Sequence, residues 1–234
     1  MKVLSVKVSP HEKFQGIYWV KLGSERKLAT LNFAPRASVY GEELVMYKKH
    51  EYRLWDPFRS KFAAAIIRGL KTVPIKPKHK VLYLGAASGT TASHVSDIVG
   101  AKGHVYCVEF APRAIRDLTE NVCKIRSNMA PILADARFPE TYRMLVEVVD
   151  DIYCDIAQPE QARILADNAD LFLKNSGEIM LAIKARSIDV TKEPEELYNQ
   201  EIKTLENRNF EIAQVVHLEP YDKAHVMVVA EYKS

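Results

Sequence analysis

The sequence predicts an α/β fold: a mostly parallel sheet of seven strands with helices on its faces, preceded by a small β-rich N-terminal domain. Three observations carry that prediction. After Lys80, apolar runs alternate with amphipathic stretches, the pattern of βαβ units around a parallel sheet. The last two apolar runs are separated only by residues 219–224, too few for a crossover helix, so that pair is antiparallel. Up to residue 46 the pattern is strand-like, with turn residues between the runs. The domains are accordingly expected at residues 1–50 and 51–234.

In chain order, strands are expected over 3–8, 17–20 and 28–33, with a turn at Gly23-Ser24 and a stop at Pro35. A basic connecting segment follows. Within it Asp56 is a good helix cap, Pro57 suits the first helical position, and Phe62, Ile66 and Leu70 recur at helical spacing, with Gly69 near the stop. The larger domain then supplies strands over 81–84, 105–108, 132–134, 152–157, 179–183, 210–218 and 225–232. Helices are expected near 91–99, 112–125, 139–149, 161–174 and 193–208.

The 234 residues are 47% hydrophobic and 27% charged, which excludes a disordered or fibrous chain. The longest apolar runs, 62–67 and 226–230, fall far short of the roughly 18 residues of a membrane span. A charge at Lys7 breaks the first apolar stretch, so it cannot form the core of a signal peptide. Three cysteines without a C-x-x-C pair or zinc-ligand spacing read as free thiols in a reducing compartment, and no metal is expected.

The net charge of +3 hides a division. Residues 1–80 hold 17 Lys/Arg against 6 Asp/Glu, and the remainder holds 16 against 24. Ten of the basic groups lie in 48–80, a candidate footprint for a polyanion. Arg59 and Lys61 fall in or near the first turn of the expected helix, where cations oppose the macrodipole, a cost that makes sense if an anion such as phosphate binds there.

The first strand of the α/β domain runs into Gly85-Ala86-Ala87-Ser88-Gly89-Thr90-Thr91, whose small residues let the backbone turn sharply and approach a ligand. On the dinucleotide fingerprint G-x-G-x-x-G these positions read Gly85, Ala87 and Thr90. The missing second glycine disfavours a diphosphate, and hence a nicotinamide-dependent oxidoreductase. S-adenosyl-L-methionine has the adenosine without the phosphate. Glu109, at the end of the second strand, is placed for both ribose hydroxyls, and Asp135, at the end of the third, for the adenine amino group.

Methyl transfer to a hydroxyl needs donor and acceptor aligned and help in removing a proton. Asp155 and Lys184 end the fourth and fifth strands at the cofactor edge. His225, at the start of the antiparallel last strand, returns there with Glu219. Lys61, Asp155, Lys184 and His225 form a convergent set. Lys184 serves as base only if its pKa is depressed; otherwise it positions the hydroxyl.

The stretch Arg53-Leu54-Trp55-Asp56-Pro57-Phe58-Arg59-Ser60-Lys61-Phe62-Ala63-Ala64-Ala65-Ile66 resembles the fibrillarin family of RNA 2′-O-methyltransferases. So do residues 81–100, 132–137 and 155–159, and Val39-Tyr40-Gly41-Glu42. The resemblance spans nearly the whole chain. It implies a seven-stranded Rossmann-like methyltransferase fold with S-adenosyl-L-methionine held by Thr90, Thr91, Glu109, Phe110, Asp135, Ala136, Asp155, Ile156, Ala157 and Gln158. It also implies a catalytic group of Lys61, Asp155, Lys184 and His225. The implied partners are box C/D guide RNA, substrate rRNA and tRNA, a Nop-domain scaffold protein and a kink-turn-binding protein of ribosomal type. The sequence lacks the Gly/Arg-rich extension of eukaryotic members, which implies the archaeal type and a cytoplasmic setting. Asp56 stands where the family commonly has Asn, and both residues cap helices. A non-catalytic RNA-binding scaffold on the same fold is the competing reading.

Overall fold

The computed structural model describes residues 6–233, so Val3, Leu4 and Ser5 of the expected opening strand lie outside the described residues. The small sheet holds β1 (Val6–Pro10), β2 (Ile17–Leu22), β3 (Glu25–Leu31), β4 (Leu44–Tyr47) and β5 (His50–Leu54), in the order β1-β2-β3-β5-β4. All its pairings are antiparallel. The hairpin β4–β5 was not expected from the sequence. Its two-residue turn is Lys48-Lys49, with φ of 46° and 68°, the geometry of a type I′ turn that usually announces itself as Asn-Gly. Because β5 pairs with β3 and β4, the small sheet runs through Leu54, past the boundary expected at residue 50.

The connecting helix α1 spans Lys61–Ile67 and is capped by Ser60, whose Oγ accepts the Ala63 N–H at 3.4 Å. It therefore starts four residues later than expected. Asp56 instead accepts the Phe58 N–H at 2.8 Å and closes a turn of its own, so Arg59 precedes the helix and Lys61 is its first residue. Phe62 to Ile66 are buried.

The large sheet has seven strands: β6 (Lys80–Leu84), β7 (His104–Glu109), β8 (Met129–Leu133), β9 (Val149–Cys154), β10 (Leu173–Lys184), β11 (Phe210–His217) and β12 (His225–Tyr232). Their order is β11-β12-β10-β9-β6-β7-β8, and only the pairings of β12 are antiparallel. Helices α2 (Thr90–Val99), α3 (Pro112–Asn121), α4 (Gln161–Phe172), α5 (Ala185–Ile188) and α6 (Pro194–Glu206) complete the fold. The helix expected over 139–149 is a 3₁₀ segment, Pro139–Leu145, broken at Tyr142, after which Val149 opens β9. Pro139 starts that segment, while the run 146–149, with three valines, favours extended backbone. Residues 123–125, expected at the end of α3, form a separate 3₁₀ turn.

Strand alternation divides the interior into two layers. Val81 and Tyr83 of β6 join a core with α1, α2, Phe14, Leu28 and Trp55, while Leu82 and Leu84 face a core with α4 and α6. The small sheet thus packs against one face of the large one through α1 and α2. A buried polar network crosses that junction. Asp97 of α2 receives Arg53 Nη1 at 2.8 Å, Arg126 Nη1 at 2.5 Å and the Thr30 hydroxyl at 2.6 Å. Arg53 also contacts Glu42 at 2.6 Å. Arg53, one of the ten basic groups of the candidate footprint, is fully buried and belongs to this network. No helix among the described residues is long and apolar enough to cross a membrane.

Candidate functional site

The strand order reverses beside β6, which has β7 on one side and β9 on the other, and an open crevice forms where such strands end. A cavity of about 250 Å³ occupies that crevice. Gly85, Glu109, Phe110, Asp135, Ala136, Asp155, Ile156, Ala157 and Gln158 line it, together with Arg137 and Lys184. Thr90 and Thr91 do not. Thr91 is buried, and its hydroxyl donates to Ser60 Oγ at 3.0 Å, tying α2 to the start of α1.

Gly85 is required here on two counts. Its φ is +80°, and a Cβ would stand 2.6 Å from the Asp155 carbonyl oxygen, so only glycine lets the loop lie against the end of β9. Glu109 is held from both sides: Oε2 accepts the Ala87 N–H and Oε1 the Ala111 N–H, each at 2.9 Å. Its carboxylate is therefore fixed by the loop before a ligand arrives, with a lone pair remaining on each oxygen for a diol. Asp135 carries Arg137 on its carboxylate at 2.6 to 3.1 Å, and these side-chain hydrogen bonds hold its pKa below the ordinary carboxylate range.

A chain of alternating charge begins at the wall of this cavity. Lys184 Nζ lies 2.8 Å from Asp155 Oδ1, off the hydrogen-bond direction, while its directed hydrogen bond goes to the Asp155 carbonyl at 3.3 Å. Asp155 Oδ1 is buried against the Lys184 ammonium, so the carboxylate has a lysine beside each oxygen. Asp155 Oδ2 lies 3.4 Å from Lys61 Nζ. Lys61 is in turn 3.4 Å from Asp222, and Asp222 is 2.9 Å from His225 Nδ1.

The four residues expected to converge thus share one cluster, and the fifth member, Asp222, was missed. Its signal lies in the 219–224 loop, whose two ends return to this edge. Glu219 turns away and accepts the Ala224 N–H at 2.9 Å, bracing the loop. Burial works to lower the Lys61 pKa, but the carboxylates of Asp155 and Asp222 outweigh it, and the net shift is upward. Lys61 is therefore an ammonium and a hydrogen-bond donor at neutral pH.

A larger hollow of about 630 Å³ opens between the small sheet and α1, lined in part by Tyr40, Phe58, Arg59 and Tyr221. It contains none of the strand-end carboxylates. It borders the charge cluster through the edge-on pair Phe58 and Tyr221, whose centroids are 4.9 Å apart.

The family model described as Fibrillarin matches residues 8–234. A fibrillarin-like rRNA/tRNA 2′-O-methyltransferase of Staphylothermus marinus is 59% identical over 229 residues, 97% of each chain. The crystal structure of Aeropyrum pernix fibrillarin with natively bound S-adenosyl-L-methionine superposes with a TM-score of 0.90 at 53% identity, covering 97% of this chain and all of that one. A chain from a fibrillarin/Nop5p complex is also similar, at a TM-score of 0.80 and 43% identity over 89% of this chain and 94% of its own.

Proposed function

The chain belongs to the fibrillarin family, and from that premise we infer that it is an S-adenosyl-L-methionine-dependent rRNA/tRNA 2′-O-methyltransferase. It transfers a methyl group to the ribose 2′-hydroxyl of RNA, and a Nop-domain scaffold is its protein partner. The observation that carries the site assignment is that Asp155 and Lys184 belong both to the cofactor cavity and to the charge cluster. Cofactor and acceptor therefore meet at these two residues.

The cavity residues suit the cofactor. Gly85 gives the backbone approach, and Glu109 is pre-set for the ribose diol. Gly85, Glu109, Phe110, Asp135, Ala136 and residues 155–158 would hold it, with Thr90 and Thr91 acting from behind the loop. When bound, S-adenosyl-L-methionine supplies an electrophilic methyl group. Lys61 contributes a fixed positive charge and a donor, and Asp155 holds Lys61 and Lys184 in register. Lys184 positions the attacking hydroxyl, because a near-attack geometry is worth more than any single contact in such a displacement.

Guide pairing selects the target, so box C/D RNA and a kink-turn-binding protein of ribosomal type complete the assembly. The archaeal relatives support a cytoplasmic setting. The excess of basic groups in the first third supports a role for that surface toward RNA. The test is transfer of tritiated methyl by the protein reconstituted with guide, substrate and both partners, followed by mapping of the label. Label on one ribose 2′-oxygen that moves when the guide is changed is expected; label on a base, or none, overturns the assignment.

A further inference from the structure

We propose that Asp222 is a positioning residue of the reaction centre, joining Lys61 to His225 and fixing the ring tautomer that leaves His225 Nε2 unprotonated. The proposal rests on the methyl-transfer reading above and extends it to a residue outside the strand-end set.

The geometry of His225 carries the argument. Its Nδ1 has two near neighbours, the Lys223 carbonyl at 2.7 Å and Asp222 Oδ1 at 2.9 Å. Both are acceptors, so Nδ1 carries the hydrogen; it donates to the Lys223 carbonyl, with the Asp222 carboxylate beside it at ion-pair distance. In the neutral ring the remaining nitrogen, Nε2, then bears the lone pair, so Nε2 is the atom able to accept a proton. Without Asp222 that choice rests on one backbone carbonyl. With it, a charge favours the same hydrogen position.

The other oxygen of Asp222 reaches Lys61 Nζ at 3.4 Å, the same distance at which Asp155 reaches it from the far side. Lys61 is thereby held between two carboxylates, and the order Lys184, Asp155, Lys61, Asp222, His225 alternates donor and acceptor along the whole cluster. Burial would raise the Asp222 pKa, but the hydrogen bond from His225 and the Lys61 charge more than reverse it, so Asp222 is ionised at neutral pH.

The loop that presents Asp222 is braced for the purpose. The Tyr221 and Asp222 N–H groups both donate to the Leu218 carbonyl, at 2.9 and 3.3 Å, and Glu219 holds Ala224. The Tyr221 ring packs edge-on against Phe58, three residues before Lys61. Loop and helix start are thus joined twice, by rings and by charge.

The experiment compares Asp222→Ala, Asp222→Asn and Asp222→Glu in the reconstituted assembly and, separately, records ¹⁵N histidine spectra of the protein alone. We expect kcat to fall by roughly 10- to 100-fold in Asp222→Ala. The RNA KM, cofactor Kd and melting temperature should stay near wild type, with partial recovery in Asp222→Glu. The His225 ring of the wild type should show a protonated Nδ1 and a bare Nε2, a signature weakened in Asp222→Ala. Wild-type turnover in Asp222→Ala, or a loss explained wholly by unfolding or cofactor release, overturns the proposal. So does a wild-type ring with hydrogen on Nε2, and that readout stands whether or not the assembly transfers methyl.

Discussion

Two networks of alternating charge lie in this molecule, and they differ in what can reach them. At the junction of the sheets, the side chains of Arg53, Glu42, Asp97 and Arg126 are at most 1% exposed and spend their hydrogen bonds on one another and on Thr30, Asn32 and Ser93. At the strand ends, Lys61, Asp155, Lys184, Asp222 and His225 are between 14% and 32% exposed, and Asp155 and Lys184 line a cavity. The first network can only hold parts together. The second has the same chemistry with one side left open, and that opening makes it a site. Ionic residues in a cluster do not by themselves declare a function; access does.

The largest effects are expected where each network is cut. Lys184→Ala should lower methyl transfer by about 10²- to 10⁴-fold while cofactor affinity stays within a few-fold, as measured by single-turnover assay and calorimetry. Asp97→Ala should cost about 3–5 kcal/mol in chemical denaturation, because it leaves two buried guanidinium groups without their shared anion. If Lys184→Ala lost stability and Asp97→Ala only activity, the roles of the two networks would be reversed.

A smaller effect sharpens the boundary between fold and site. Gly85→Ala places a Cβ against the Asp155 carbonyl in a left-handed conformation, and should cost about 1–2 kcal/mol of stability. It should also weaken cofactor binding at least about tenfold, since the loop must withdraw from β9; titration calorimetry reads this directly.

The smallest effect concerns pH and the buried network alone. His94 is fully buried, stacked on Trp55 at 4.7 Å, with Nδ1 2.7 Å from the Thr30 hydroxyl and Nε2 2.8 Å from the Tyr40 hydroxyl. Burial, and then the charges of Arg53 and Arg126, push its pKa well below the ordinary 6.5. The unfolded chain therefore binds a proton near pH 6.5 that the folded chain refuses. This group costs nothing above that pH and destabilises the fold as pH falls, by up to about 1.4 kcal/mol per unit. In urea titrations, the stability gap between wild type and His94→Gln should narrow on going from pH 7.5 to 5.5. A constant gap would show that His94 takes up its proton inside the fold.

Much of the α/β scaffold was legible because burial on both faces writes long apolar runs, and because strand length fixes where a run ends. Glu109 and Asp135 were placed at strand ends by counting alone, and Asp155 and Lys184 by the same rule. Loop residues offer no period to count. Asp222 carries no pattern that separates it from a solvated carboxylate, and Lys48-Lys49 hides a tight turn behind residues that seldom make one. Asp56 was credited with the cap that Ser60 supplies, since both satisfy the same local rule and only packing chooses between them.

By itself, then, the sequence determined the layered α/β core, the small-residue loop after the first buried strand and the residue types gathered at one edge. These follow from periodicity and backbone freedom, which are properties of neighbours in the chain. Only the tertiary structure decided that Arg53 is buried, that Thr91 faces α1, and that Asp222 stands between Lys61 and His225. Those outcomes depend on which distant segments share a space. Charge and burial act across space rather than along the chain.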